Sequence, residues 1–178
     1  MALEKHTEWV IEHEYERNKA RHVMNGATMV LHCHHYATLY CQLADDAEMV
    51  NGKAMLRKAT ELAFLPVLTD YFAQHGVSAI ADRVALAEEY WRLCGMGTLS
   101  FDRLGQMSAA ARMEHSHVDE GWIKKWGKRG QPVNFIGQGY LAAAMAAIYG
   151  QPAGSYTVSE TESIVAGAPA SRFAIVHA

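Results

Sequence analysis

The chain has 178 residues, half of them hydrophobic and a fifth charged, with a formal net charge of −3. This is material for one domain, residues 1–178, with a core of its own, and it excludes the basic field that nucleic acid or an anionic membrane would need in a partner. No apolar run reaches the length of a membrane span, and Met1-Ala2-Leu3-Glu4-Lys5-His6 lacks the character of a signal peptide, so the expected compartment is the cytoplasm. Cys33, Cys41 and Cys94 are an odd number with no Cys-x-x-Cys pair, which predicts reduced thiols, Cys94 serving as a small buried hydrophobe.

In chain order, a helical half (1–94) precedes a sheet-containing half (95–178). From about Glu8 to Ala44 the only strong breaker is Gly26, and Met24, Ala27, Leu31, His34, Thr38 and Cys41 step by three or four, as on one helical face. Asp45-Asp46 and Asn51-Gly52 mark a break. A second helix is expected from Gly52 to Ala73, kinked or split at Pro66 and ended by Gly76. Ser78 is placed to cap a third that runs to Cys94. Beyond Gly95-Met96-Gly97 the texture changes. Thr98–Asp102 and Ala110–Val118 alternate like antiparallel neighbours. A short helical turn follows from Asp119 or Glu120 to Trp126. Val133–Tyr149 reads as a buried, Ala-rich helix in which Gly137 and Gly139 permit close packing, and Gly137-Gln138-Gly139 inside it is not a phosphate loop. Strands are expected over Ser155–Glu162 and Ser171–His177. Helices followed by β-β-α-β-β make an α+β class with helices against one face of an antiparallel sheet.

Five of the ten histidines sit in two clusters, His32-Cys33-His34-His35 and His115-Ser116-His117. Histidine titrates near neutral pH and is the commonest metal ligand. On a strand, His115 and His117 would share a face. On the first helix His34 shares a face with Thr38 and Cys41, while a swing of about 100° per residue keeps His34 and His35 from pointing squarely at one metal. In one reading His34, His35, His115 and His117 converge, with Glu120, Asp119 or Glu14 nearby, and suit iron, zinc or copper, or act without metal as general acid and base through His34 and His117. In the other they are solvated or hydrogen-bonded helix and strand residues, since no His-Glu-x-x-His motif is present. Tyr36, Thr38, Trp91, Trp122 and Tyr140 are candidates to line a ligand pocket, although core packing is the commoner role for such aromatics. Lys124-Lys125 with Lys128-Arg129 reads as a solvated basic face.

The second half, roughly Ala85 to His177, resembles the 4-vinyl reductase (hydrocarbon-binding) domain, which also forms part of the sensor region of phenol- and toluene-responsive bacterial regulators. The resemblance is carried by Gly95-Met96-Gly97, Glu114-His115-Ser116-His117, Glu120-Gly121-Trp122, Pro132-Val133-Asn134-Phe135, Gly139-Tyr140, Glu160-Thr161-Glu162-Ser163 and Gly167-Ala168-Pro169-Ala170-Ser171-Arg172-Phe173. It implies a fold shared with haem nitric-oxide sensors and vesicle-tethering subunits, an internal apolar pocket, and frequent dimers. It also implies a structural zinc, held in the phenol-sensor relatives by a Cys and a Glu-x2-Cys-x7-Cys run. Here those positions are Asn134, Glu160, Ser163 and Ser171, so loss of that zinc is expected, because structural zinc needs thiolate or imidazole. Three function classes follow: a ligand-binding enzyme edged by the histidines, a non-catalytic sensor or carrier of a small organic ligand, and an assembly subunit. A homodimer is the expected state.

Overall fold

The computed structural model describes residues 9–30 and 33–178. Leu31 and His32, included in the sequence reading above, lie outside them.

Of the first helix expected from about Glu8 to Ala44, the part from His34 onward forms. Residues 13–29 form an antiparallel meander of β1 (His13–Glu16), β2 (Arg21–Met24) and β3 (Ala27–Met29). The reason is local: Asn25 and Gly26 both take positive φ, 47° and 79°, the two-residue hairpin turn for which Asn-Gly is the strongest signal. Asn25 does more than turn the chain. Its Nδ2 donates to the Val10 carbonyl and its Oδ1 accepts from Glu12 N–H, 2.9 Å each, so the hairpin is tied to the incoming strand.

Helix α1 (His34–Asp46) therefore starts at the histidine cluster, and a 3₁₀ turn (Glu48–Val50) leads to α2 (Gly52–Gln74). Pro66 does not split α2; it lies on the exposed side, where water can serve the carbonyl it leaves without a donor, and Thr69 Oγ1 donates to the carbonyls of Leu65 and Pro66. Gly76, at φ 63°, ends the segment. Helix α3 (Ile80–Leu93) begins after Ala79 without a side-chain cap, so Ser78 does not play the role expected of it.

Strands β4 (Ser100–Arg103), β5 (Ser108–Met113), β6 (Tyr156–Glu162) and β7 (Ser171–His177) build an antiparallel sheet in the order β4-β5-β7-β6. Between them lie α4 (His117–Trp126) and α5 (Phe135–Tyr149). Nearly every residue of α5 is buried, between β6 and β7 on one side and α2 and α3 on the other. Gly139 makes this possible, since a Cβ there would overlap the Arg57 carbonyl and Thr60 of α2. Gly137 serves a different purpose: it sits beneath the Asn134 side chain, which caps α5. The molecule is α+β, with its core around α5.

Candidate functional site

A cavity of about 640 Å³ lies where the N-terminal arm and the β2–β3 turn cross α2 and the end of α3. Trp9, Tyr71 and Tyr90 wall it, with Met24, Met29 and Leu93. Trp9 is held there by non-local bonds: its Nε1 donates to the Leu86 carbonyl at 2.8 Å, and Tyr71 Oη accepts from Val10 N–H at 3.0 Å. The Trp9 ring lies 3.6 Å from that of Tyr71 and 4.6 Å from that of Tyr90. His75 stacks on Tyr71 at 4.0 Å. Glu12, Asp70 and Gln74 supply polar groups at the edge. This volume and lining match a small-molecule site.

None of the five aromatic and hydroxyl residues expected to line a pocket lines this cavity. Tyr36 is exposed on α1. Thr38 is buried and turns its hydroxyl back to the carbonyls of His34 and His35. Trp91 and Tyr140 are core, their rings 4.6 Å apart, and Tyr140 donates to the Ala87 carbonyl at 2.5 Å. Trp122 packs against Trp126 beneath Arg129. The aromatic walls are not legible in the sequence because Trp9 lies just ahead of the hairpin in a stretch that reads as helix, and Tyr71 and Tyr90 look like ordinary helix-face residues. Asn25-Gly26 was the available signal.

The histidines are partly assembled. Strand β5 stops at Met113; residue 116 bridges to Gly97, and Ser116 then caps α4, its hydroxyl accepting from Asp119 N–H at 3.2 Å. His115 and His117 therefore do not share a strand face. His115 is 73% exposed, with Nδ1 3.3 Å from Glu120. His117 is the first residue of α4 and half-buried, its ring centroid 5.9 Å from that of His34, which in turn lies 4.3 Å from His35. Gly121 lets α4 approach this closely: a Cβ there would come within 2.9 Å of His34. His34 Nε2 is buried without a hydrogen-bond partner among the described residues. Burial and the neighbouring His34 push His35 below its ordinary pKa. Among the described residues no three histidine, cysteine or carboxylate side chains are grouped to hold a metal ion.

A third cluster is entirely internal. Asn134, Glu160, Ser163 and Ser171 do converge, joined by Asp119 and Ser116. Gly137 N–H donates to Asn134 Oδ1 at 2.8 Å, which fixes the amide so that Nδ2 donates to Ser116 Oγ and Asp119 Oδ2, 3.1 Å each. Ser171 Oγ donates to Asp119 Oδ2 and accepts from Ile164 N–H. An amide donor thus faces the position where a zinc would require an electron pair, and no thiolate or imidazole is present. This donor set does not fit zinc. The carboxylates share too few donors: Asp119 Oδ1 and Glu160 Oε1 are buried and have no hydrogen-bond partner among the described residues. Burial is the first cause that raises both; the Asp119 charge then adds to Glu160, which reaches about 7, and the Glu120 charge adds to Asp119. Nearby, burial pushes the Cys41 thiol up to about 12, as expected of an inert core cysteine.

No family model and no curated protein matches the chain. Solved structures do. The phenol-responsive sensory domain of the transcription activator PoxR, solved with phenol, aligns with a TM-score of 0.77 over 93% of this chain and 84% of that one, at 12% identity. Trafficking protein particle complex subunit 3 from Naegleria fowleri, covalently bound to palmitic acid, aligns at 0.55 over 80% of this chain and 90% of that one, at 11% identity. The relation to sensor domains and tethering subunits that the sequence motifs implied therefore holds at the level of the fold. Among the described residues no helix is long and apolar enough to cross a membrane.

Proposed function

We propose that the chain is a small-molecule-binding domain that senses or carries an organic ligand in the cavity between the N-terminal arm and helices α2 and α3. The observation that carries this reading is the 640 Å³ cavity with walls of Trp9, Tyr71 and Tyr90. The likeness to a sensory domain solved with phenol supports it. Binding without turnover is favoured, because the cavity is lined by none of His34, His35, His115 and His117. Trp9 is both wall and reporter. Titration with phenol, followed by tryptophan fluorescence in the wild type and in Trp9→Phe, is expected to give a saturable change that Trp9→Phe loses. Chromatography of the mixture is expected to return phenol unaltered. Absence of saturable binding across small aromatic probes would refute the reading.

A second reading rests on a separate observation, the grouping of His34, His35 and His117 around the buried His34 Nε2. Such a group suits acid–base chemistry, with His34 and His117 as the working pair; a divalent iron, zinc or copper ion there would need ligands beyond these, since no three candidate ligands are grouped among the described residues. Metal analysis of untagged protein beside His34→Ala and His117→Ala tests it: near-stoichiometric metal lost in the variants supports a centre, and metal-free protein in every sample removes it.

A homodimer belongs to the proposal. Helix α1 exposes Tyr36, Leu39, Tyr40 and Leu43, spaced at i, i+3, i+4 and i+7 along one face. Light scattering behind size exclusion is expected to give twice the chain mass, and Leu43→Glu to give the monomer.

A further inference from the structure

The charge around the cavity restricts what can enter it. Among the described residues that line it two are formally charged, Glu12 and Asp70, and both are acidic; no lysine or arginine is among them. Neither carboxylate has an ion-pair partner among the described residues, whereas Asp45, Glu61, Glu88 and Asp102 each face a lysine or an arginine. Both are exposed, so they meet solvent and an incoming ligand alike. The one other titratable group with a basic nitrogen in the lining is His75, whose Nδ1 lies 3.1 Å from the Tyr71 carbonyl. Inside the rim stand the electron-rich rings of Trp9 and Tyr90, groups that attract an organic cation through their quadrupoles, while Tyr71 carries Trp9 on one face and His75 on the other.

From this we infer that the cavity selects an organic cation, an ammonium group carried on an apolar or aromatic body, over neutral and anionic molecules of the same shape. The inference rests on the ligand-binding reading above and specifies its chemistry. An anion would bring like charge to two carboxylates that have no ion-pair partner among the described residues. A neutral ligand would gain the apolar contacts alone. A cation gains those contacts, the ring quadrupoles and the attraction of Glu12 and Asp70.

Calorimetric titration of the full chain at pH 7.5 with three matched probes tests this: 2-phenylethylammonium, 2-phenylethanol and phenylacetate. The ammonium is expected to bind about fivefold or more tightly than the alcohol, with the carboxylate weakest, the size of effect of one or two partly screened charge pairs. Asp70→Asn and Glu12→Gln are each expected to lower the ratio of ammonium to 2-phenylethanol affinity several-fold. Equal or tighter binding of the alcohol or the carboxylate would overturn the charge selection and leave the ligand pocket standing. A preference for the ammonium undiminished in the double variant would overturn the role given to Glu12 and Asp70. If none of the three probes saturates the wild type, the pocket reading falls as well.

Discussion

Replacing Glu160 with Gln changes how stability depends on pH, and the sign follows from the structure. Burial, then the Asp119 charge, moves the Glu160 carboxyl from its ordinary 4.5 to about 7, against the hydrogen bonds of Ser163, Asn134 and Ser171 that favour the ionised form. Between pH 4.5 and 7 the native state consequently binds more protons than the unfolded chain. Stability falls as pH rises through that window, being highest below it and fully reduced above it. A shift of this size corresponds to about 3 kcal/mol. Asp119, also raised, adds a slope of the same sign. His35 is lowered and contributes the opposite slope, but it does so in wild type and variant alike. The difference between the two proteins therefore reports Glu160 together with its interaction with Asp119. A glutamine is neutral at every pH and can still accept from Asn134 N–H, as Glu160 Oε2 does at 3.3 Å. Urea unfolding followed by circular dichroism from pH 5 to pH 8 is the assay. Glu160→Gln is expected to match wild type near pH 5 and to exceed it by about 1–3 kcal/mol at pH 8. A wild-type midpoint that rises across this range relative to the variant, or a difference that does not change with pH, would refute a protonated carboxyl at this position.

The other predictions follow the packing. Gly139→Ala forces a methyl into the Arg57 carbonyl of α2 and is expected to cost about 3 kcal/mol by chemical denaturation, the upper range for overpacking. Gly121→Ala presses on His34 and Thr38, whose atoms would lie 2.9 Å from the new Cβ; it is expected to lower the melting temperature and to shift the His34 and His117 ring resonances in NMR spectra. Asn25→Ala removes both side-chain bonds that tie the hairpin to residues 10–12 and is expected to weaken any ligand of the cavity about tenfold. Tyr140→Phe orphans the bond to the Ala87 carbonyl inside the core and is expected to cost about 1 kcal/mol, with no effect on ligand affinity.

Where one stretch of chain carries its own instructions, the sequence sufficed. Ser171–His177 alternates and is a strand with the bounds expected of it. The Ala-rich run to Tyr149 is the buried helix, and Gly76 stops α2 because only a residue without a side chain takes its φ cheaply. The α+β class was legible from element order, and the convergence of Asn134, Glu160, Ser163 and Ser171 was implied by the family resemblance. The histidines were legible only as residue types: the cap at Ser116 turned a strand into a helix, separated His115 from His117, and brought His117 beside His34.

The pocket was decided by tertiary structure. Its walls come from residues 9–29 and 66–93, and Trp9 reaches its place through a bond to Leu86, 77 positions away. Periodicity reports which way a side chain faces from its own element, whereas a concavity is made by what several distant elements leave unfilled. The same holds for the Glu160 proton. A carboxyl near the end of a strand ionises normally in water, and it was the closing of α4, α5 and β7 around it that withdrew the water and raised its pKa.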